Sequence, residues 1–136
     1  MSQENVEIVR RVYEAVARHD PAAVLGLYDP KVEWDFSRSP VGDVMGRQFY
    51  RGHEGLREWW RDWREAWEKY EDNCTELIAA GTYVISVVES RGRGRASGVQ
   101  IDWKQYGVWT IRDRRVVRVV WFRTRVEADE AVARSG

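Results

Sequence analysis

The stretch from Gly52 to Asn73 carries four of the eight tryptophans of the chain and constrains the fold more than any other segment. Gly52 breaks the chain before it and Asp72-Asn73 ends it, so the sequence predicts one long helix between them. Because a helix this aromatic needs a large apolar surface to lie on, the rest of the chain must supply that surface. The apolar side chains recur at steps of three, four and seven, which places them on one helical stripe: Leu56, Trp59, Trp60, Trp63, Trp67 and Tyr70.

The segment after this helix has the pattern of β-structure. Three long strands are predicted, over Thr75 to Glu89, Val99 to Arg112 and Val116 to Arg125, and the first of these regions has a candidate break near Ala80-Gly81. Asp113-Arg114 forms the second turn, and the Arg-Gly run of residues 91–98 forms the first hairpin tip, rather than an RNA-binding segment. Three long strands in hairpin order predict a strongly bent antiparallel sheet.

The segment before the tryptophan helix is predicted to be mostly helical. Asp20 caps its second helix, which carries Pro21 in the first turn and stops at Asp29-Pro30. Residues 37–52 are irregular and form either a surface loop, which is the favoured interpretation, or a lid over a cavity. The remaining elements are a first helix over Glu4 to His19, a strand over Val32 to Phe36 and a closing helix over Glu127 to Arg134.

Composition excludes several classes of function. The 136 residues form one domain, and 22 basic residues balance 22 acidic ones, so no net charge attracts nucleic acid or a membrane surface. One cysteine excludes an internal disulfide, and two isolated histidines argue against a metal site. We predict no cofactor. The absence of a secretory signal and of a membrane-spanning apolar run predicts a cytoplasmic protein.

The order of these elements resembles the nuclear transport factor two-like superfamily, and most closely its SnoaL-like, ketosteroid-isomerase-like branch. The resemblance covers nearly the whole chain, as a single domain over residues 1–136. It implies an α+β fold in which N-terminal helices pack on a strongly curved antiparallel sheet as a cone-shaped barrel, with an internal pocket and commonly a homodimer. The similar segments are residues 12–16, 28–34, 50–57, 108–112 and 116–120.

The resemblance also suggests a catalytic residue. Enzymes of the family use a carboxylate as a general base in an apolar pocket, and Asp35 lies close to where the isomerases carry theirs. A slip of one residue turns its side chain to the other face, so the alternative is a solvated carboxylate at the end of a strand. The isomerase oxyanion tyrosine and protonated aspartate correspond to Val12 and Gly107, and Tyr13 is predicted to be rotated off the site.

Strand alternation predicts which side chains face the pocket. Glu89 and Arg123 form either an ion pair at its mouth or a structural salt bridge at the sheet edge, and Arg123 or Gln105 is the candidate oxyanion partner. The tryptophans of the long helix are either core residues or ligand contacts, with Trp60 at the edge of the stripe. The predicted ligand-binding residues are Trp34, Trp60, Glu89, Gln105, Trp109, Trp121 and Arg123.

Three functions remain open at this stage. The first is a cofactor-independent isomerase or cyclase, in which Asp35 moves a proton next to a carbonyl group of a hydrophobic substrate. The second is a non-catalytic module that binds a hydrophobic small molecule in the same pocket. The third is a protein-interaction domain that uses the outer face of its sheet. The fold alone does not separate them, because it hosts unrelated activities.

Overall fold

Helices and strands follow one another along residues 2–135, which the computed structural model describes, with the side chains of residues 3–134. The helices are α1 (Ser2–Ala17), α2 (Pro21–Leu27), α3 (Gly42–Met45), α4 (Gly52–Ala66) and α5 (Arg125–Ser135). The strands are β1 (Tyr28–Arg38), β2 (Phe49–Arg51), β3 (Trp67–Ala80), β4 (Tyr83–Gly94), β5 (Gln100–Arg112) and β6 (Arg115–Phe122).

The strands form one curved sheet in the order β2-β1-β6-β5-β4-β3. The predicted α+β fold with helices packed on this sheet is confirmed, although the sheet does not close on itself. The meander is antiparallel as predicted, but it has four strands rather than three, because the predicted strand region over Thr75 to Glu89 breaks after Ala80 and is divided between β3 and β4. Strand β1 pairs with β6 in parallel. The sheet is therefore mixed, and this parallel pair brings the N-terminal half of the chain onto the meander.

The tryptophan helix is shorter than the sequence predicted. Helix α4 ends at Ala66, and at Trp67 the backbone becomes extended, so that Trp67 and Tyr70 lie on β3. Residues spaced by three fit a helix, but pairing with β4 determines the structure here. Gly92 permits this arrangement, because a Cβ atom there would lie 2.7 Å from Cε3 of Trp67.

The other boundaries depart less from the predictions. Asp20 accepts a hydrogen bond from the Ala23 amide, which confirms the predicted cap of α2. Asp113 and Arg114 adopt φ values of 52° and 66° in the predicted turn between β5 and β6. The hairpin tip shortens to residues 95–99, because β4 continues to Gly94. The segment predicted to be irregular contains α3 and β2.

The two faces of the sheet bury different side chains. The inner face packs against α1, α2 and α4 and forms the main core, with Trp34, Trp109 and Trp121 among its largest members. The outer face holds a smaller apolar cluster around Phe122, which Ala128 of α5 covers. The main core thus encloses the site described below.

An aromatic cavity with a hydrogen-bonded carboxyl group

A cavity of about 430 Å³ lies between the inner face of the sheet and helices α1, α2 and α4. Its volume falls within the range of small-ligand pockets, roughly 300–1,000 Å³. Most of its wall is apolar, and half of the lining side chains are aromatic. These are Tyr13, Tyr28, Trp34, Phe36, Trp59, Trp60, Tyr70, Trp109 and Trp121.

The aromatic rings support one another around Trp34. Its ring centroid lies 5.4 Å from that of Trp59, 6.0 Å from Trp109 and 5.8 Å from Trp121. Edge-to-face and tilted pairs at such distances are favourable, and close packing leaves each ring few alternative rotamers. The wall is consequently preformed.

Tyr13 lines the cavity, in contrast to the prediction that it is rotated off the site. Its hydroxyl donates to Ser86 Oγ at 3.1 Å, and Trp109 Nε1–H donates to the same oxygen at 2.8 Å. Gly107 allows this approach, since a Cβ atom there would lie 2.8 Å from Ser86 Oγ. Burial raises the pKa of Tyr13 well above its usual value, so the phenol stays protonated.

Asp72 places a carboxyl group at the wall of the cavity. Its Oδ1 accepts a hydrogen bond from the Tyr70 hydroxyl at 2.5 Å and another from Ser90 Oγ at 2.6 Å. The residue as a whole remains exposed at the edge of β3, but the protein around the carboxyl displaces much of its solvent. This desolvation raises the pKa of Asp72 from the usual value, and the two hydrogen bonds oppose the shift.

A chain of buried polar groups holds this carboxyl in place. Ser39 Oγ donates to Gln105 Oε1 at 2.9 Å, and Gln105 Nε2 lies 3.5 Å from Ser90 Oγ. Ser39, Ser90 and Gln105 are all buried. Gln105 therefore contributes to the position of Ser90 and, through it, of Asp72. Buried polar groups joined in this way hold one another in a single geometry.

Five of the residues predicted to bind a ligand meet at this cavity. Trp34, Trp60, Gln105, Trp109 and Trp121 all line it, on β1, α4, β5 and β6. The cavity residues on β5 and β6 were predicted from strand alternation, because residues two apart on a strand share a face.

The other three predicted site residues lie outside the cavity. Asp35 is on the outer face of β1, in a shallow cleft beside Glu33 and Arg118, and its Oδ1 accepts from the Ser37 amide. Glu89 is exposed on the outer face of β4, and Arg123 is exposed just after β6. No ion pair joins Glu89 to Arg123 among the described residues. The register of β1 and β4 turns these acids away from the aromatic groups.

Sequence reasoning missed Tyr70 and Asp72 as site residues, because it assigned both to the tryptophan helix. Their spacing of two is the signal of a shared strand face, and it becomes visible only when β3 is known to begin at Trp67. His53 lies at the start of α4, where its Nε2 is 2.8 Å from the carbonyl oxygen of Tyr28.

Neither a candidate metal-binding group nor a membrane-spanning helix is present in the described part of the chain. No group of three or more His, Cys, Asp or Glu side chains is arranged to hold a metal ion within it. None of its helices is long and apolar enough to cross a membrane.

Comparison with known proteins agrees with this architecture. The model of the SnoaL-like domain matches residues 9–119, which is most of the chain. The chain belongs to the SnoaL-like family. Among curated proteins, no sequence matches this SnoaL-like protein.

Solved structures share the fold of this SnoaL-like protein at low identity. An NTF2-like protein of unknown function from Burkholderia pseudomallei is 22% identical, with a TM-score of 0.76 over 95% of this chain and 97% of that one. TerC, co-crystallised with polyporic acid, is 20% identical, with a TM-score of 0.75 over 96% and 98%. A ketosteroid isomerase-like protein from Catenulispora acidiphila, in complex with trimethylamine, is 15% identical, with a TM-score of 0.68 over 85% and 84%.

Proposed function

We propose that this SnoaL-like protein is a cofactor-independent enzyme of the isomerase or cyclase type, which moves a proton next to a carbonyl group of a hydrophobic substrate. One observation carries the proposal: the Asp72 carboxyl, with two hydroxyl donors on one oxygen, stands in the wall of an aromatic cavity. Asp72 replaces Asp35 as the candidate base, because Asp35 lies on the outer face of the sheet.

The two oxygens of the Asp72 carboxylate have different surroundings. Tyr70 and Ser90 both donate to Oδ1, which leaves Oδ2 to take a proton from the substrate carbon next to the carbonyl. The C–H electron pair then forms the enolate, and return of the proton from Oδ2 to another carbon completes an isomerisation. A carboxyl with a raised pKa suits both steps, since it holds the proton between them.

The fold is compatible with binding of a small organic substrate. TerC was co-crystallised with polyporic acid, and the Catenulispora acidiphila protein was crystallised with trimethylamine, so related folds accommodate small organic molecules. In this chain the equivalent requirement, an apolar cavity of suitable volume, is met by the tryptophan-rich wall.

Exchange of α-protons tests the proposal directly. In D2O, loss of the α-proton signals of 2-tetralone in NMR spectra measures proton abstraction without requiring the natural substrate. We expect the protein to accelerate this exchange and Asp72→Asn to reduce the acceleration by roughly 10²-fold or more. Asp35→Asn is the matched control and should retain it.

The pH dependence follows from the raised pKa. Because Asp72 holds its proton to a higher pH than an ordinary carboxyl does, exchange should increase with pH through a window above the usual value of 3.8 and then level off. A profile unchanged by Asp72→Asn would exclude Asp72 as the base.

The non-catalytic alternative gives a different result. If 2-tetralone binds in the cavity without accelerated exchange, the protein is a binding module.

The homodimer implied by the family is also part of our proposal, and sedimentation velocity would measure it.

A further inference from the structure

The buried polar groups behind Asp72 begin at a donor whose direction is fixed. The Val41 amide N–H lies 3.3 Å from Ser39 Oγ, and a backbone amide nitrogen can only donate. Because Ser39 Oγ accepts this hydrogen bond, its own proton is available to Gln105 Oε1 at 2.9 Å. That oxygen carries no proton and can only accept. The Ser39 hydroxyl therefore fixes which end of the Gln105 amide faces it.

The Gln105 amide continues the same direction towards the cavity. With Oε1 on the Ser39 side, Nε2 lies 3.5 Å from Ser90 Oγ and donates to it. Ser90 Oγ in turn donates to Asp72 Oδ1 at 2.6 Å. The Val41 amide and the side chains of Ser39, Gln105 and Ser90 thus form a donor series that ends on the Asp72 carboxyl.

The opposite direction would require a protonated Asp72. If the Gln105 amide turned over, Oε1 would face Ser90 and take its proton. Ser90 Oγ could then only accept, and the Asp72 carboxyl would have to supply the proton. A hydrogen bond donated to a carboxylate favours the charged form, so the donor series favours the carboxylate and its reversal favours the acid.

Burial and backbone geometry hold the series in this direction. Ser39 is 2% exposed, Gln105 is 1% exposed and Ser90 is 4% exposed, so bulk water cannot replace a lost partner. The Ser39 N–H donates to the Phe36 carbonyl at 3.0 Å, and the Ser39 carbonyl accepts from the Gly42 N–H at 3.0 Å. The hydroxyl of Ser39 is therefore presented to Gln105 by a backbone that is bonded on both sides.

Neutral donors are the groups that stabilise the Asp72 carboxylate. Burial raises the pKa of Asp72, while the hydrogen bonds from Ser90 and Tyr70 lower it. Among the described residues that line the cavity, none is a lysine or an arginine. The other titratable side chains around this carboxyl are Tyr13, His19, Glu71 and Cys74. The charges on β4 and β5 that share an outer cleft with it are exposed and screened by water: Glu89, Arg91, Asp102 and Lys104.

We propose that Ser39 is a positioning residue for the candidate base Asp72, and that it acts through the donor series to keep the Asp72 carboxyl in the form that accepts a proton. The inference rests on the proposed function, because it concerns the same carboxyl. Ser39 does not line the cavity, and it lies 66 residues before Gln105 in the sequence. A segment outside the cavity thus determines the state of the group inside it.

Titration of the Asp72 carboxyl in the intact protein is the first test. The ¹³C resonance of the carboxyl carbon follows ionisation without any substrate. Ser39→Ala should raise the titration midpoint of Asp72 by about one pH unit, because the Gln105 amide can then turn over and withdraw the Ser90 proton. Ser37→Ala, which removes an exposed hydroxyl two residues away, is the matched control and should leave the midpoint unchanged. An unchanged midpoint in Ser39→Ala would overturn the inference.

The pH profile of 2-tetralone exchange is the second test. Because the carboxylate is the active form of the base, the profile of Ser39→Ala should move to higher pH by the same amount as the titration. Exchange should be about 10-fold slower than in the wild type on the acid side and equal on the plateau. A merely structural role would lower exchange by the same factor at every pH, and that result would overturn the inference.

A double variant tests whether Ser39 acts through Gln105. Gln105→Met keeps the length of the side chain, removes both polar atoms and should raise the Asp72 midpoint by a similar amount. Ser39→Ala combined with Gln105→Met should raise it no further, because the link between Ser39 and Ser90 is already broken. Shifts that add in the double variant would overturn the inference. Gln105→Met also tests the donor series by itself if Ser39→Ala does not fold.

The outcomes separate the inference from the proposed function. If wild-type protein does not accelerate exchange of 2-tetralone, the proposed function fails, and the titration of Asp72 by itself decides whether the donor series is right. If wild-type protein accelerates exchange while Ser39→Ala and Gln105→Met leave the midpoint unchanged, the inference fails and the proposed function stands.

Discussion

The inner and outer faces of the sheet are formed by the same strands, but the inner face is aromatic and the outer cleft is charged. On β1, Trp34 packs into the aromatic core while the next residue, Asp35, lies in a charged outer cleft. On β5, Trp109 is buried inside while its neighbour Thr110 lines that cleft. A shift of one residue thus exchanges an aromatic wall for a polar surface. The register of each strand consequently decides which carboxyl group can meet a hydrophobic ligand.

Exposed ion pairs centred on Glu33 border the outer cleft. Glu33 contacts Arg51 at 2.8 Å and Arg118 at 3.8 Å, and both arginines are more than half exposed. Such pairs contribute little because water screens them. The inner face gains most of its stability from burial of large rings. The two faces should therefore respond very differently to substitution.

The largest difference is expected for an inner aromatic residue. Trp109→Ala removes a side chain that is 1% exposed and packs against Tyr13, Trp34 and Trp121. We expect a loss of about 3–5 kcal/mol in the free energy of unfolding, measured with urea. The exposed Phe49 is the control, and Phe49→Ala should cost less than about 1 kcal/mol. Equal losses would contradict the assignment of the core to the inner face.

An intermediate effect is expected where the inner rings approach the backbone. The added methyl of Gly107→Ala would lie 2.8 Å from Ser86 Oγ and 2.9 Å from Trp121 Cζ3. Overpacking of this kind costs about 1–3 kcal/mol.

Thermal unfolding of Gly107→Ala can be compared with that of Gly26→Ala, on α2, where no atom lies within 4 Å of the new methyl. The helical control should be neutral or slightly stabilising. A stable Gly107→Ala variant would mean that the cavity wall yields more easily than its packing implies.

The smallest effect is expected in the outer cleft. Glu33→Gln removes the charge that pairs with Arg51 and Arg118, and should lower the free energy of unfolding by less than about 1 kcal/mol. Because salt screens exposed pairs, the loss should shrink when urea unfolding is repeated at 1 M NaCl. A larger loss that persists in salt would show that Glu33 acts through packing.

Alternation and turn chemistry made much of the fold predictable. Trp109 and Gln105 share a face because they are four residues apart on a strand, and the sequence placed both in the pocket. The cap at Asp20 and the turn at Asp113-Arg114 depend on local chemistry, which a single segment contains. The predicted order of elements supported the family resemblance, which the matched SnoaL-like domain confirms.

Pairing between strands that are distant in sequence determines which carboxyl group lies at the cavity. Trp67 and Tyr70 have the spacing of a helical stripe, and only pairing of β3 with β4, with a register shift between Trp67 and Lys69, makes Asp72 a neighbour of Ser90. The sequence favoured Asp35 as the catalytic base because it lies on the first strand. Its direction depends on how β1 pairs with β2 and β6, which lie elsewhere in the sequence.

The sequence by itself thus determined the class of fold and the aromatic character of the cavity, since both follow from periodicities within single segments. The tertiary structure decided where α4 ends, that β1 joins the sheet in parallel, and that Asp72 rather than Asp35 faces the tryptophans. The physical reason is that local spacing specifies which side chains share a face. Hydrogen bonds between distant strands specify which face is buried.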